Sequence, residues 1–327
     1  MIRLFTLRQP IVFVLLIAIV FLLQLPSLFL VVPNAKSAIT FTCFEQLFAT
    51  LNRSRSMVYF LQCGIVVLQT LHLNYIFEKH GVHYKNTFLP SLCYVLFSAL
   101  FNEMDGTMWP ALLAQTPLML TLDTFFNLYK APDTKEKIFN AMLFLGIGAL
   151  IYTPLLLLLP AFIISLFFVK IPSPRDFILV LTGAALPLYF GFVYCYYTGT
   201  ESYYLQKFTQ LWKLPHSYAL LQPQPQVVFL AGIALLIAIT SARLYINHFK
   251  NIIKTRIIQQ MLFAVSLISL AVLVLLLQLD YQHLYLFMIP FSYLLSYFFL
   301  GKWRFYMNEV IVLLLIASIL FLKLYPA

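Results

Sequence analysis

Leu100-Phe101-Asn102-Glu103-Met104-Asp105-Gly106-Thr107-Met108-Trp109-Pro110 sets two of the chain's 11 acidic residues in a short turn between two long apolar runs. The turn carries no Lys or Arg, closes with a Gly and restarts on Trp109-Pro110. That pair is an aromatic of the membrane–water interface followed by a residue suited to the first turn of a helix. The stretch therefore reads as a tight loop at a membrane surface, and the runs around it as spans. An acid-x-acid triplet held there binds a divalent cation or accepts a proton; alternatively it only keeps the loop in water.

The rest of the composition agrees. With 62% hydrophobic, 17% aromatic and 10% charged residues and a mean hydropathy of +0.90, the chain is far below the roughly 25% charge of a soluble globule. The apolar runs reach the roughly 20 residues that a helix needs to cross a bilayer core, and none alternates like an outer-membrane barrel strand. Helical spans are the remaining way to satisfy the backbone in lipid, so the expected class is all-α, a polytopic transmembrane bundle. Pro10–Val32, behind Arg3 and Arg8, is too long for a signal-peptide core and lacks a cleavage site, which makes it an uncleaved first span.

Spans are expected at 10–32, 56–77, 87–101, 109–129, 138–153, 155–169, 176–198, 225–246, 257–279, 284–300 and 306–324, eleven in all. With the N-terminus inside, the cytoplasmic segments hold Arg3, Arg8, Lys79, Lys85, Lys130, Lys135, Lys137, Lys170, Arg175, Arg243, Lys250, Lys254, Arg256, Lys302 and Arg304. The opposite side holds Lys36, Arg53, Arg55, Lys207, Lys213 and Lys323, so the split is 15 against 6. Positive charge gathers on the cytoplasmic side, which puts the N-terminus in and the C-terminus out. It also accounts for most of the +10 net charge without nucleic acid. The cluster Arg243, Lys250, Lys254 and Arg256 most simply rests on anionic headgroups. Residues 1–327 read as one integral-membrane domain, with longer connections at 33–55 and 199–224 on the outer side. A bacterial inner membrane is the expected location.

Those connections carry most of the remaining candidates. In the first, Phe41, Phe44, Leu47, Phe48 and Leu51 share one helical face, with Glu45 near its edge and Arg53 and Arg55 close behind, the pattern of an interfacial amphipathic helix. The second sets Tyr204, Phe208, Leu211 and Trp212 opposite Gln206, Lys207, Gln210 and Lys213. It then breaks at Pro215 and passes through His216 into a Gln-Pro-Gln-Pro-Gln run. Asp280 and His283, three apart at a helix edge on the outer side, suit phosphate or metal. Asp123 sits in the inward half of span four with Asn127 one turn on and Lys130 two turns on. At about 25 Å from the outer acidic turn, it is expected to snorkel or to hydrogen-bond another helix. Spans five and six meet at Pro154, where Gly146, Gly148, Pro154 and Pro160 predict close helix approach and a kink.

Cys43, Cys63, Cys93 and Cys195 show no metal or disulfide spacing. A Cys43–Cys195 bridge is conceivable, but a small apolar filler is the expected role. No phosphate-cradling Gly-rich loop, zinc-protease motif, nucleophile elbow, inverted repeat or ladder of charges is visible.

An interfacial helix with an acid in the first outer connection, an acid-x-acid turn between spans three and four, and an N-inside bundle together resemble the GT-C superfamily of integral-membrane glycosyltransferases. The resemblance covers about Pro10 to Gly199 and is one of layout. It implies sugar transfer from a polyprenyl-phosphate carrier at the non-cytoplasmic face. Glu45 would then stand where the family keeps its first-loop carboxylate and deprotonate the acceptor. Glu103 and Asp105 would stand for the second acidic motif and hold a divalent cation, Mg or Mn. Arg53, Arg55 and Lys207 would offset the charge of the leaving phosphate, with His216, Asp280 and His283 as further binding groups. The chain departs from the family in having no Asp in the first connection. Two other classes fit the same residues: a non-catalytic subunit or scaffold of an envelope or secretion assembly, docking membrane-protein partners, and a lipid or solute transporter.

Overall fold

The computed structural model describes residues 5, 10–25, 55–83, 87–101, 109–202, 204–206, 238–242, 246, 252–276 and 281–300, with 309, 310, 312, 313 and 316. The main elements are α1 Pro10–Gln24, α2 Arg55–Lys79, α3 Leu89–Phe101, α4 Trp109–Phe126, α5 Thr134–Ile151, α6 Leu159–Val169, α7 Pro174–Tyr197, α8 Ile253–Leu276 and α9 Met288–Leu300. Two 3-10 segments, Thr153–Leu158 and Tyr281–Phe287, lead into α6 and α9. No strand occurs among the described residues. Among the described residues, four stretches are long and apolar enough to cross a membrane: Ser56–Lys79, Pro174–Tyr197, Ile253–Leu273 and His283–Leu300. Ile11–Gln24, Leu89–Ala99 and Thr153–Val169 are shorter apolar helices. One contiguous buried core draws residues from all nine labelled helices.

Local chemistry fixes where these helices stop. α2 ends on Gly81, whose φ of +60° lets Gly81 N reach Glu78 O at 3.1 Å and Val82 N reach Phe77 O at 3.0 Å. That paired closure satisfies two terminal carbonyls. α7 ends the same way on Gly199, φ +70°, with Gly199 N on Tyr196 O and Thr200 N on Cys195 O. At the start of α7, the buried Asp176 carboxylate accepts the Ser173 N–H at 2.7 Å and hydroxyl at 2.9 Å. Lys170 Nζ adds a bond of 2.9 Å. The break between α5 and α6 falls at Tyr152, extended at φ −140°, ψ 96°, two residues before the proline that signalled it.

Side-chain bonds between helices set their directions. Gln69 reaches Leu112 O at 2.7 Å and Thr116 at 3.0 Å, while Lys79 reaches Asp123 at 2.9 Å. α2 and α4 are therefore parallel. α3 folds back on α2, with Tyr94 OH on Gln69 and Ser91 on Thr70 O. Phe88 N bonds Phe5 O, and Tyr59 OH bonds Phe21 O, so α1 opposes α2. Lys137 on Asn127 O and Gly148 against Pro117 make α5 antiparallel to α4. Gly183 against Phe139 and Met142, with Gly146 against Ala184 and Pro187, makes α7 parallel to α5. The segment 153–169 between them must therefore run back the length of the bundle. Thr255 bonds Gly81 O, Gln259 bonds Val82 O, and His83 bonds Ser296. Those three bonds put the start of α8 and the end of α9 beside the turn that follows α2.

The bundle thus has two distinct ends. Around His80 gather the end of α2 and the starts of α3 and α8, the end of α4 and start of α5, and the end of α9. Around Trp109 gather the end of α1 and start of α2, the end of α3 and start of α4, and the end of α5 and start of the 281–287 segment.

Candidate functional site

A layer of buried polar side chains crosses the bundle below the Trp109 end. Gln69 from α2 anchors it, since its amide nitrogen donates to Leu112 O and Thr116 and its oxygen accepts from Tyr94 OH at 2.8 Å. Tyr152 joins from the far end of α5. Gly148 touches Pro117, so one turn further on Tyr152 stands level with Leu113 and hence with the Gln69 bonds. The Tyr152 hydroxyl meets His283 Nδ1 at 2.6 Å, and both residues are fully buried. Tyr285 follows on the same segment within electrostatic reach of Tyr94. Phe97 and Phe291 close edge-to-face beside the layer with centroids 4.1 Å apart. From Trp109 to residues 112–116 is a descent of about 5–10 Å along α4.

Among the polar atoms of this layer, His283 Nε2 and Gln115 Oε1 have no hydrogen-bond partner. Gln115 spends its amide on its own helix, donating to Ala111 O at 3.4 Å. Leaving a buried donor or acceptor unmet costs roughly 1–3 kcal/mol, and native interiors rarely do so without a use for the group.

Comparison with known proteins finds no matching family model, curated protein or solved structure. The site is therefore argued from its own geometry. Among the residues expected to do chemistry, Glu45, Arg53, Glu103, Asp105, Lys207, His216 and Asp280 lie outside the described residues. Arg55 opens α2 at the Trp109 end. His283 was expected at a water-facing helix edge, but it is buried and hydrogen-bonded to Tyr152. The reason is the 281–287 segment, which tucks its first turn into the bundle before α9 begins. Among the described residues no group of three His, Cys, Asp or Glu could hold a metal.

A second polar cluster closes the opposite end. Asp123 receives Lys79 Nζ on both oxygens at 2.9 Å and His80 Nε2 at 2.7 Å, while Asn127 donates to Asp123 O at 2.8 Å. Of the two outcomes anticipated for Asp123, snorkelling or a bond to another helix, this is the second, made to Lys79 at the end of α2 and to His80 just beyond it. Next to it, His83 donates Nε2–H to the Ser296 hydroxyl at 2.9 Å, since Ser296 gives its own proton to Tyr293 O at 2.8 Å. Burial pushes the His83 imidazole down to about 3.

Sequence reasoning singled out neither Gln69, Tyr94, Gln115 nor Tyr152. Each is a single polar residue inside an apolar run, and only the register between helices brings them to one level.

Proposed function

We propose that the protein is an integral-membrane glycosyltransferase of GT-C layout, taking a sugar from a polyprenyl-phosphate carrier at its Trp109 end. One observation carries the proposal. The described helices flanking 26–54, 102–108 and 277–280, the stretches that hold Glu45 and Arg53, Glu103 and Asp105, and Asp280, all meet that single end, above the Gln69–Tyr94–His283 layer. α7, from whose end the stretch with Lys207 and His216 leaves, finishes there too. Helix ends that meet at one end are the condition for groups on the connections between them to act on one substrate. In this scheme Glu45 takes the acceptor's proton, and Arg53, Arg55 and Lys207 offset phosphate charge. Glu103 and Asp105 supply the hard oxygen donors suited to Mg or Mn.

The charge distribution supports the accompanying topology of eleven spans in a bacterial inner membrane, with the N-terminus in and the C-terminus out. Of the nine described Lys and Arg residues, Lys79, Lys130, Lys135, Lys137, Lys170, Arg175, Lys254 and Arg256 lie toward the His80 end and only Arg55 toward the other. Positive charge favours the cytoplasm, which leaves the Trp109 end outside. The test is transfer from a polyprenyl-phosphate-linked sugar by the protein in lipid nanodiscs. Glu45→Gln and Asp105→Asn are expected to lower turnover at least about a hundredfold, the range for a lost acid–base group, with insertion intact. Full activity in both variants refutes the catalytic assignment.

A second reading, a subunit that docks a membrane partner, draws on α7. Ile178, Leu181, Tyr189, Phe190 and Tyr197 stand out from the bundle, Tyr197 at 91% exposure. Acyl chains cover such a face equally well, so the enzyme reading is preferred.

A further inference from the structure

We infer that the edge of the His80 end formed by the α6–α7 turn and the start of α8 is a binding site for an anionic phospholipid. It lies at the opposite end of the bundle from the Trp109 end, where transfer is proposed, and does not depend on that reading.

α6 packs along α8. α6 runs toward the His80 end and α8 away from it, so residues 170–175 and 252–256 come to the same side of that end. Large apolar side chains stand out there among cations. Ile171, between Lys170 and Arg175, is 95% exposed, and Ile252 and Ile253, next to Lys254, are 78% and 59% exposed. Pro172 and Pro174 stiffen the turn that presents Ile171. Residues 170–176 and 252–256 hold Lys170, Arg175, Lys254 and Arg256 against Asp176 alone. That carboxylate is buried and already taken up by Ser173 and Lys170, while Arg175 is exposed and forms no ion pair among the described residues.

The other turn at this end is built differently. Residues 129–137 set Lys130, Lys135 and Lys137 against Asp133 and Glu136, and what they expose is Lys130, Pro132, Asp133, Lys135 and Glu136. Positive charge that only fixes orientation needs no isoleucine beside it. Exposed isoleucines among cations match a partner that is negatively charged at its surface and apolar just beneath, which is the headgroup layer of an anionic bilayer. The apolar part continues up the bundle. Just above Lys170 and Arg175 the rings of Phe167 and Phe177 join α6 to α7 with centroids 6.2 Å apart, and Phe167, Ile178 and Leu181 stand out beside them. A phosphate held at the cations leaves its acyl chains along this strip. An acidic soluble protein would meet the cations and leave the strip uncovered.

Native mass spectrometry of the full chain in neutral detergent tests the site, with phosphatidylglycerol, phosphatidylcholine and soluble glycerol phosphate as probes. Wild type is expected to hold phosphatidylglycerol about tenfold more tightly than phosphatidylcholine, and Arg175→Gln with Lys254→Gln to bring that ratio to about two or less. Lys130→Gln with Lys135→Gln, the same change of charge at the polar turn, is expected to leave the ratio where it was. Ile171→Ser is expected to weaken both lipids alike. All five side chains lie at the surface, so the fold is expected to survive their loss. Equal wild-type affinity for the two lipids overturns the inference, as does a ratio that survives Arg175→Gln with Lys254→Gln, or one that falls as far with the polar-turn pair. Unaltered lipid binding by Ile171→Ser refutes the insertion of the isoleucines and with it the choice of a lipid. Displacement of the lipid by millimolar glycerol phosphate refutes that choice too, since a headgroup alone would then account for the binding.

Discussion

Among the described residues no acidic side chain bonds His83, and its ring is stacked on Tyr293 with centroids 5.5 Å apart at 28°. With its pKa near 3 in the fold against about 6.5 in the unfolded chain, the imidazole stays neutral wherever the protein is folded. The sign follows directly: as pH falls below 6.5 the unfolded chain gains a proton that the folded one refuses, so stability is lost on the acid side. Between pH 7 and pH 5 that loss amounts to about 2 kcal/mol, and it continues down toward pH 3. Thermal unfolding in detergent at pH 7, 6 and 5 checks it. His83→Gln, which keeps an amide donor for Ser296, is expected to flatten the acid slope. An unchanged slope in that variant would place the acid sensitivity elsewhere.

At the scale of the element, the α5–α7 pair shows what a small residue is for. A Cβ on Gly183 would sit 2.8 Å from Phe139 O and 2.9 Å from Met142 Cβ, and one on Gly146 would sit 2.6 Å from Ala184 O. Backbone atoms cannot swing aside, so Gly183→Ala and Gly146→Ala each force the helices apart and are expected to cost about 1–3 kcal/mol. Gly64 is also helical but has nothing within 4 Å. Gly64→Ala is expected to be neutral or to stabilise by up to about 1 kcal/mol, and melting temperatures of the three variants decide the matter. The close approach at Gly146 was legible, because small residues in an apolar run have few other uses, and so was the break near Pro154. Its displacement to Tyr152 was not. Proline restrains the residue before it, here Thr153, so it does not account for the extended backbone at Tyr152; the Tyr152 hydroxyl bonds His283, a partner 131 residues away, which no local pattern shows.

Distance along the chain also explains what the whole molecule hid. The pairs Gln69–Thr116, Tyr94–Gln69 and Tyr152–His283 are 47, 25 and 131 residues apart. Apolar runs predict helices because hydropathy is local, whereas the polar layer exists only once α2, α3, α4, α5 and the 281–287 segment have taken their register. Asp123 was legible as a group needing a partner, since a carboxylate in an apolar span must find one; which helix supplied Lys79 and His80 was not. Orientation lies between these cases, and it carries the last prediction. The alternation of the described helices groups Lys135 with the His80 end and Ser202 with the Trp109 end, and both side chains are exposed. In a Cys43→Ser background, with Cys63, Cys93 and Cys195 buried, a membrane-impermeant maleimide added to intact spheroplasts is expected to label Ser202→Cys and spare Lys135→Cys. Inverted vesicles are expected to reverse the pattern. Labelling of Lys135→Cys from outside would turn the bundle over, because the eight described basic residues of the His80 end would then have crossed the membrane against the cytoplasmic preference. It would also move the Gln69–Tyr94–His283 layer, and the acids expected above it, to the face where no carrier-linked sugar is expected.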